Sequence, residues 1–275
     1  MQVKTKGTYL LLVILLSMMV SFGVKAYKQA LEYEQYTTEL VSHKGAKEQA
    51  KRQLSKLAKS ILGDLYNDEN NRDLVTIKTH KNNAMVEAKR YTMYYMGVLL
   101  VVLLSYFFIP LREFTIVGSL AAMISLFFGL LSPILMVTIH KEVEYLGDIV
   151  LSFESKGIAG SIVKLWEGGD VVVALVILLF SVIVPILKIL SLLFVSLFKE
   201  YRFTHKVVKF FKLIGKWSMV DVFVVALFLV YLTANNADVS RAEVEVGLYF
   251  FLAYVIVSML VSLSADKMLH QLNRR

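Results

Sequence analysis

Two charged residues lie inside otherwise apolar stretches, and they are the residues of this sequence best placed to do chemistry. Lys188 interrupts the run from Val171 to Phe198, and Asp221 sits four residues into the run from Trp217 to Ala237. A charge at the middle of a membrane helix costs roughly 2.5–3.5 kcal/mol on insertion scales, so it normally faces the bundle interior or water. Lys188 precedes Phe198 by ten residues, which is about 15 Å along a helix. Asp221 is about 6 Å from the matching end of its own run. If the lysine stem reaches down, the two heads meet at similar depth, and pairing offsets much of the desolvation. Two other readings stand beside this one. Lys188 snorkels towards the interface with Asp221 already there, or each serves separately in a water-filled cavity. Pro185, three residues before Lys188, removes a backbone donor and frees a carbonyl one turn earlier. That makes either a polar pocket or a packed bend. Pro133, after Gly129, is expected to do the same near the end of the third apolar run.

Other chemistry is excluded by residue type. There is no cysteine, so disulfides, thiolate zinc sites, iron–sulfur clusters and a cysteine nucleophile are out. The five histidines, at 43, 80, 140, 205 and 270, lack the i, i+4 spacing of a metalloprotease pair. Gly157-Ile158-Ala159-Gly160-Ser161 has neither the lysine nor the spacing of a phosphate loop, and no Gly-x-Ser-x-Gly elbow occurs. No catalytic residue, metal or cofactor is expected, and the chain reads as non-enzymatic.

The elements that must position Lys188 and Asp221 are membrane helices. The chain has 275 residues, of which 57% are hydrophobic and 19% charged, with a mean hydropathy of +0.61; soluble domains average roughly 45–50% and 25%. The excess is concentrated in six apolar blocks, Gly7–Val24, Tyr91–Leu111, Phe114–Ile139, Val171–Phe198, Trp217–Ala237 and Val246–Ala265. Blocks of this length read as spanning helices. The expected fold is all-α, a polytopic bundle of about six spans with a helical insertion between the first two. The first block follows Lys4 and Lys6, and Val24-Lys25-Ala26 is a passable cleavage site. Its 18 residues nevertheless suit an uncleaved anchor. The organisation expected is an anchor over 1–24, a helical segment over 25–90, a second span with a tight turn at Arg112 and Glu113 over 91–113, a four-helix membrane domain over 114–270, and a tail over 271–275. Tyr91, Tyr94 and Tyr95 suit an interfacial belt.

Charge sets direction. With the N-terminus inside, the short inner pieces hold twelve Lys and Arg and the short outer loops, 140–170 and 238–245, hold four. The positive-inside rule therefore puts both termini in the cytoplasm and 25–90 outside. The net charge of +8 reports topology and anionic lipid rather than nucleic acid.

Three extramembrane stretches are informative. In 25–90, Leu54, Leu57, Ile61, Leu62 and Leu65 share one helix face, and Gly45 and Asn67-Asp68-Glu69-Asn70-Asn71 punctuate it. Helix–turn–helix extensions of the first two spans are expected, either a solvated spacer or a docking surface for a periplasmic protein. In 199–216, Val207, Phe210, Phe211 and Ile214 alternate with Lys206, Lys209, Lys212 and Lys216. That is either a basic amphipathic helix on anionic lipid or ordinary topology charge. The outer loop 140–170 ends in Leu165-Trp166-Glu167-Gly168-Gly169-Asp170. Trp166 suits an interfacial anchor, Gly168 and Gly169 a turn, and Asp170 the N-cap of the fourth span. The alternative is a mobile lip over a cavity mouth.

Two stretches also resemble a known family. Phe180-Ser181-Val182-Ile183-Val184-Pro185-Ile186-Leu187-Lys188 and Lys216-Trp217-Ser218-Met219-Val220-Asp221-Val222-Phe223 are similar to segments of the paraquat-inducible protein A family of bacterial inner-membrane proteins. That family has a Pro-x-x-Lys segment in one span, a basic inner loop, and a Lys-Trp-Ser-Met-x-Asp-Val-Phe segment opening the next. The resemblance covers roughly 114–270 and includes Leu-Trp-x-Gly-Gly. It differs in important ways: better-known members carry two copies of the membrane domain and cysteine zinc ribbons, whereas this chain has one copy and no cysteine, and Leu131-Ser132 replaces an Ala-Asn pair.

The resemblance implies work with periplasmic mammalian-cell-entry (MCE) domain proteins, moving lipid between membranes and maintaining the envelope. Carried over by position, Pro185, Lys188, Trp217, Ser218 and Asp221 would line a phospholipid headgroup pocket. The competing readings are a small-solute or proton-coupled transporter using the Lys188/Asp221 pair, and a structural stress-response scaffold without substrate.

Overall fold

The structure, a computed structural model, describes residues 2–43, 69–143, 147–197 and 240–273. Five described helices are long and apolar enough to cross a membrane: Gly7–Val41, Val75–Phe107, Leu111–Leu131, Val171–Leu197 and Val246–Met268. The chain is the polytopic helix bundle expected from its apolar blocks. The block 217–237 lies outside the described residues.

Helix α1 (Gln2–His43) and helix α2 (Glu69–Leu104) form an antiparallel hairpin. Its pairing runs from Phe22 against Tyr94, through Lys25 over the Tyr91 ring and Lys81 over the Tyr33 ring, to Tyr36 stacked on His80 at 5.6 Å. Helices of 42 and 36 residues are about 63 and 54 Å long, twice the hydrocarbon thickness of about 30 Å. Both therefore run on past the membrane as continuous helical extensions. The apolar face Leu54–Leu65 and Gly45 lie outside the described residues.

The turn after α2 is displaced from its expected place at Arg112 and Glu113. A 3-10 turn covers Ser105–Phe107, with Phe108 N and Ile109 N both donating to Ser105 O. Pro110 is the N-cap of helix α3 (Leu111–Leu131). Proline's fixed φ suits a helix start and its missing donor loses nothing there. Arg112 and Glu113 consequently belong to the first turn of α3, where a carboxylate complements the helix dipole.

The third apolar block does not span to Ile139. Helix α3 stops at Leu131, and Ser132 is extended with ψ 149°. A residue before proline avoids the helical region, so Pro133 ends this helix instead of kinking it. The β-branched Val137, Thr138 and Ile139 then lie in strand β1 (Leu135–Val143). Strand β2 (Gly147–Lys156) and strand β3 (Ser240–Val244) flank it in a three-stranded antiparallel sheet of order β2-β1-β3, with a bulge between Ile139 and His140. Of residues 140–170, expected as a loop, 140–143 and 147–156 are thus strand, followed by a short helix α4 (Ile158–Glu167).

Helix α5 runs Val171–Leu197 and helix α6 runs Val246–Asn273. The core is the tight pairing of α3 with α6. Small residues line α3 on this seam: Gly118, Ala122, Ser125 and Gly129 are all buried. Without hydrophobic drive inside lipid, such residues let backbones approach and gain dispersion contacts. At Gly129 backbone meets backbone, since an added Cβ would lie 2.8 Å from Phe251 N.

Candidate functional site

Helix α5 positions the candidate site, and its backbone is irregular where it does so. Residues Leu179–Ile183 form a π-helical turn, and regular helix resumes at Val184. Pro185 has no N–H for the carbonyl of Ser181, and widening the preceding turn relieves the clash a proline ring would otherwise make. Ser181, Pro185, Lys188, Ile189, Leu192 and Val195 are all buried. Their spacing defines the face that α5 turns towards α3 and α6.

Lys188 is 4% exposed. Its Nζ donates to Ser258 Oγ at 3.2 Å, and Ser258 Oγ donates in turn to Val255 O at 3.0 Å. Ser258 is fully buried and lies twelve residues into α6, about 18 Å from its start. The ammonium therefore stays at mid-helix depth and does not climb to the interface. A buried ammonium is stable only with partners of this kind.

Two further polar rungs cross the bundle. Tyr95 OH, on α2, is 2.7 Å from Ser125 Oγ, whose own hydrogen goes to Ala121 O at 2.9 Å, so the phenol is the donor. Nearer the other end, Thr115 Oγ1 lies 3.2 Å from Ser264 Oγ, and both hydroxyls reach Leu111 O. At that end Arg112 donates to Ser196 O at 2.9 Å and to Leu197 O at 3.3 Å. A cation there meets two carbonyls of the last described turn of α5 and ties α3 to it. Tyr9 OH donates to Glu113 Oε1 at 2.5 Å beside it.

The stretch Trp166–Asp170 joins α4 to α5. Asp170 N donates to Leu165 O and Gly169 N to Trp166 O, with Gly169 at φ +89°. This is the double bond pattern of a Schellman turn, whose left-handed position favours glycine. Gly168 is the C-cap of α4, and Asp170 stands at the N-cap of α5 but makes no side-chain cap hydrogen bond. Trp166 is exposed.

Of the residues singled out in the sequence, Pro185 and Lys188 meet in the bundle interior, and Trp166, Gly168, Gly169 and Asp170 form the turn at the sheet end. Asp221, Trp217, Ser218, Lys206, Lys209, Lys212 and Lys216 lie outside the described residues. Ser258, Ser125 and Ser264 were not picked out. A lone serine in an apolar run ordinarily bonds its own helix, so only the partner helix reveals its second role.

Comparison with known proteins adds three findings. The family model described as "Paraquat-inducible protein A" matches residues 115–271. A protein of Haemophilus influenzae (strain ATCC 51907 / DSM 11121 / KW20 / Rd), called a probable intermembrane transport protein, is 28% identical over 114 residues. That stretch is 39% of this chain but only 27% of the relative, so the likeness reaches about a quarter of the relative's length. No solved structure matches.

Proposed function

The chain belongs to the paraquat-inducible protein A family, and from that premise we propose that it is a non-enzymatic inner-membrane subunit that handles phospholipid for transfer between membranes. The observation that carries this reading is Lys188, an ammonium held at mid-helix by Ser258 beside the π turn and Pro185. A fixed positive charge inside an apolar bundle suits an anionic headgroup whose acyl chains remain among helices. The relative's name, probable intermembrane transport protein, supports the same direction. Asp221, Trp217 and Ser218 complete the pocket in this proposal, by their place in the motif shared with the family.

The rest of the reading concerns partners and orientation. The charge asymmetry supports an Arg112 end in the cytoplasm with both termini, and a sheet outside. The extended α1–α2 hairpin then stands in the periplasm as the surface for an MCE-type protein. The loop 199–216, through Lys206, Lys209, Lys212 and Lys216, lies on the anionic inner leaflet. The mechanism is passive: lipid enters laterally and its headgroup meets the Lys188 pocket.

The test is lipid retention. The protein purified in mild detergent is expected to carry phospholipid in stoichiometric amount, and Lys188→Met to lose it while remaining folded. Equal lipid in both proteins, together with a pH-gradient-dependent flux in liposomes, would replace this reading with a proton-coupled transporter.

A further inference from the structure

A cavity of about 380 Å³ opens at the Arg112 end of the bundle, away from Lys188. Its walls are Leu100, Leu104 and Phe107 from α2 and the following turn, and Leu260 and Leu263 from α6, with Lys267 at one end. The whole α2 wall lies outside the stretch matched by the family model, residues 115–271.

The cavity has a direction set by depth. Lys267 is 21 residues beyond Val246, about 32 Å along α6, which spans a hydrocarbon core of about 30 Å. Lys267 therefore stands at headgroup level, while Leu263 and Leu260 are about 6 and 10 Å deeper. The lysine is also held in place. Its Nζ donates to Tyr106 OH at 3.0 Å and lies 5.6 Å from the centre of the Tyr106 ring. Two other charged side chains at this end are engaged: Arg112 donates to Ser196 O and Leu197 O of α5, and Glu113 accepts from Tyr9. Among the described residues, Lys267 is the charged one that lines the cavity.

We propose that this groove between the end of α2 and the last turns of α6 is a binding site for one acyl chain of an anionic phospholipid, with its phosphate on Lys267. An apolar slot at hydrocarbon depth closed by one oriented cation at headgroup depth matches that amphiphile in both shape and charge. Cavities of about 300–1,000 Å³ hold small ligands, and this one sits at the lower end, suiting a single chain. The site goes beyond the Lys188 centre and rests on the inner-end orientation proposed above only for which leaflet supplies the lipid.

The experiment is photo-labelling of the full chain in liposomes, using phosphatidylglycerol that carries a photoreactive group on one acyl chain, with the phosphatidylcholine analogue as the neutral-headgroup control. Adducts are expected to concentrate in residues 100–107 and 260–267 for phosphatidylglycerol. Lys267→Gln is expected to lower that labelling about fivefold, the effect of one cation near an anionic surface, and Lys267→Arg to preserve most of it. Leu263→Trp, which fills the slot, is expected to abolish it. Labelling spread evenly over the apolar helix faces, or unchanged in Lys267→Gln, overturns the proposal, as do crosslinks between two copies at these residues. Lys188→Met is run in parallel. Groove labelling that persists there separates this site from the lipid-handling centre, so either can fail alone.

Discussion

At the residue scale, Lys188 and Ser258 make a bond that each needs for a different reason. The ammonium needs acceptors to remain charged in an apolar bundle, whereas Ser258 already has Val255 O and could do without the lysine. Ser258→Ala should therefore destabilise moderately, by about 0.6–2 kcal/mol for an interhelical hydrogen bond in a membrane. Thermal unfolding in detergent reads the loss directly. Asp221 bears on the same charge. If it pairs with Lys188, Lys188→Met alone should be worse than Lys188→Met with Asp221→Asn, because one partner would remain buried and unpaired at a cost of about 3–5 kcal/mol. A double-mutant cycle in melting temperature separates the cases; strict additivity would mean that the two side chains do not touch. Recovery of stability in the double variant without recovery of lipid retention would assign the pair to the headgroup pocket.

At the scale of elements, the α3–α6 seam is the part that tolerates least. Gly129→Leu places side-chain atoms where the Phe251 backbone now runs, 2.8 Å from the first added carbon. The two helices must separate, at about 1–3 kcal/mol for overpacking. A fall in melting temperature larger than that of Gly97→Leu, at a position with open space around it, is the expected comparison; equal effects would mean that the seam yields freely. The Thr115–Ser264 rung fixes the register of this seam and the Tyr95–Ser125 rung that of α2 on α3, since a hydroxyl moved by one residue loses its partner. Helix α5 is held differently, by Arg112 at its last described turn and by Lys188 further up. Its π turn lies between that anchored half and the Schellman turn at Gly169.

At the scale of the whole molecule, one end of the bundle gathers Tyr9, Arg112, Glu113, the end of α5 and Lys267, and the other carries the sheet. Reporter fusions should place residues 199–216 and Arg275 inside and residues 25–90 outside; an external signal from 199–216 would invert the assignment of inner and outer ends. The sequence by itself determined the number and approximate place of the described spans, because 18 or more apolar residues have few stable alternatives to a membrane helix. It also singled out Lys188, since a charge within such a run must be accounted for. Composition could not show that Leu135–Ile139 leaves the membrane helix for a sheet: an apolar β-branched run reads alike in both, and the choice rests on Pro133 and on β3, about a hundred residues away. Nor could it show that Ser258 receives Lys188, or that Tyr106 and Lys267 close a groove. Those contacts join residues far apart in the chain, and only the packing of one helix on another decides which hydroxyl meets which charge.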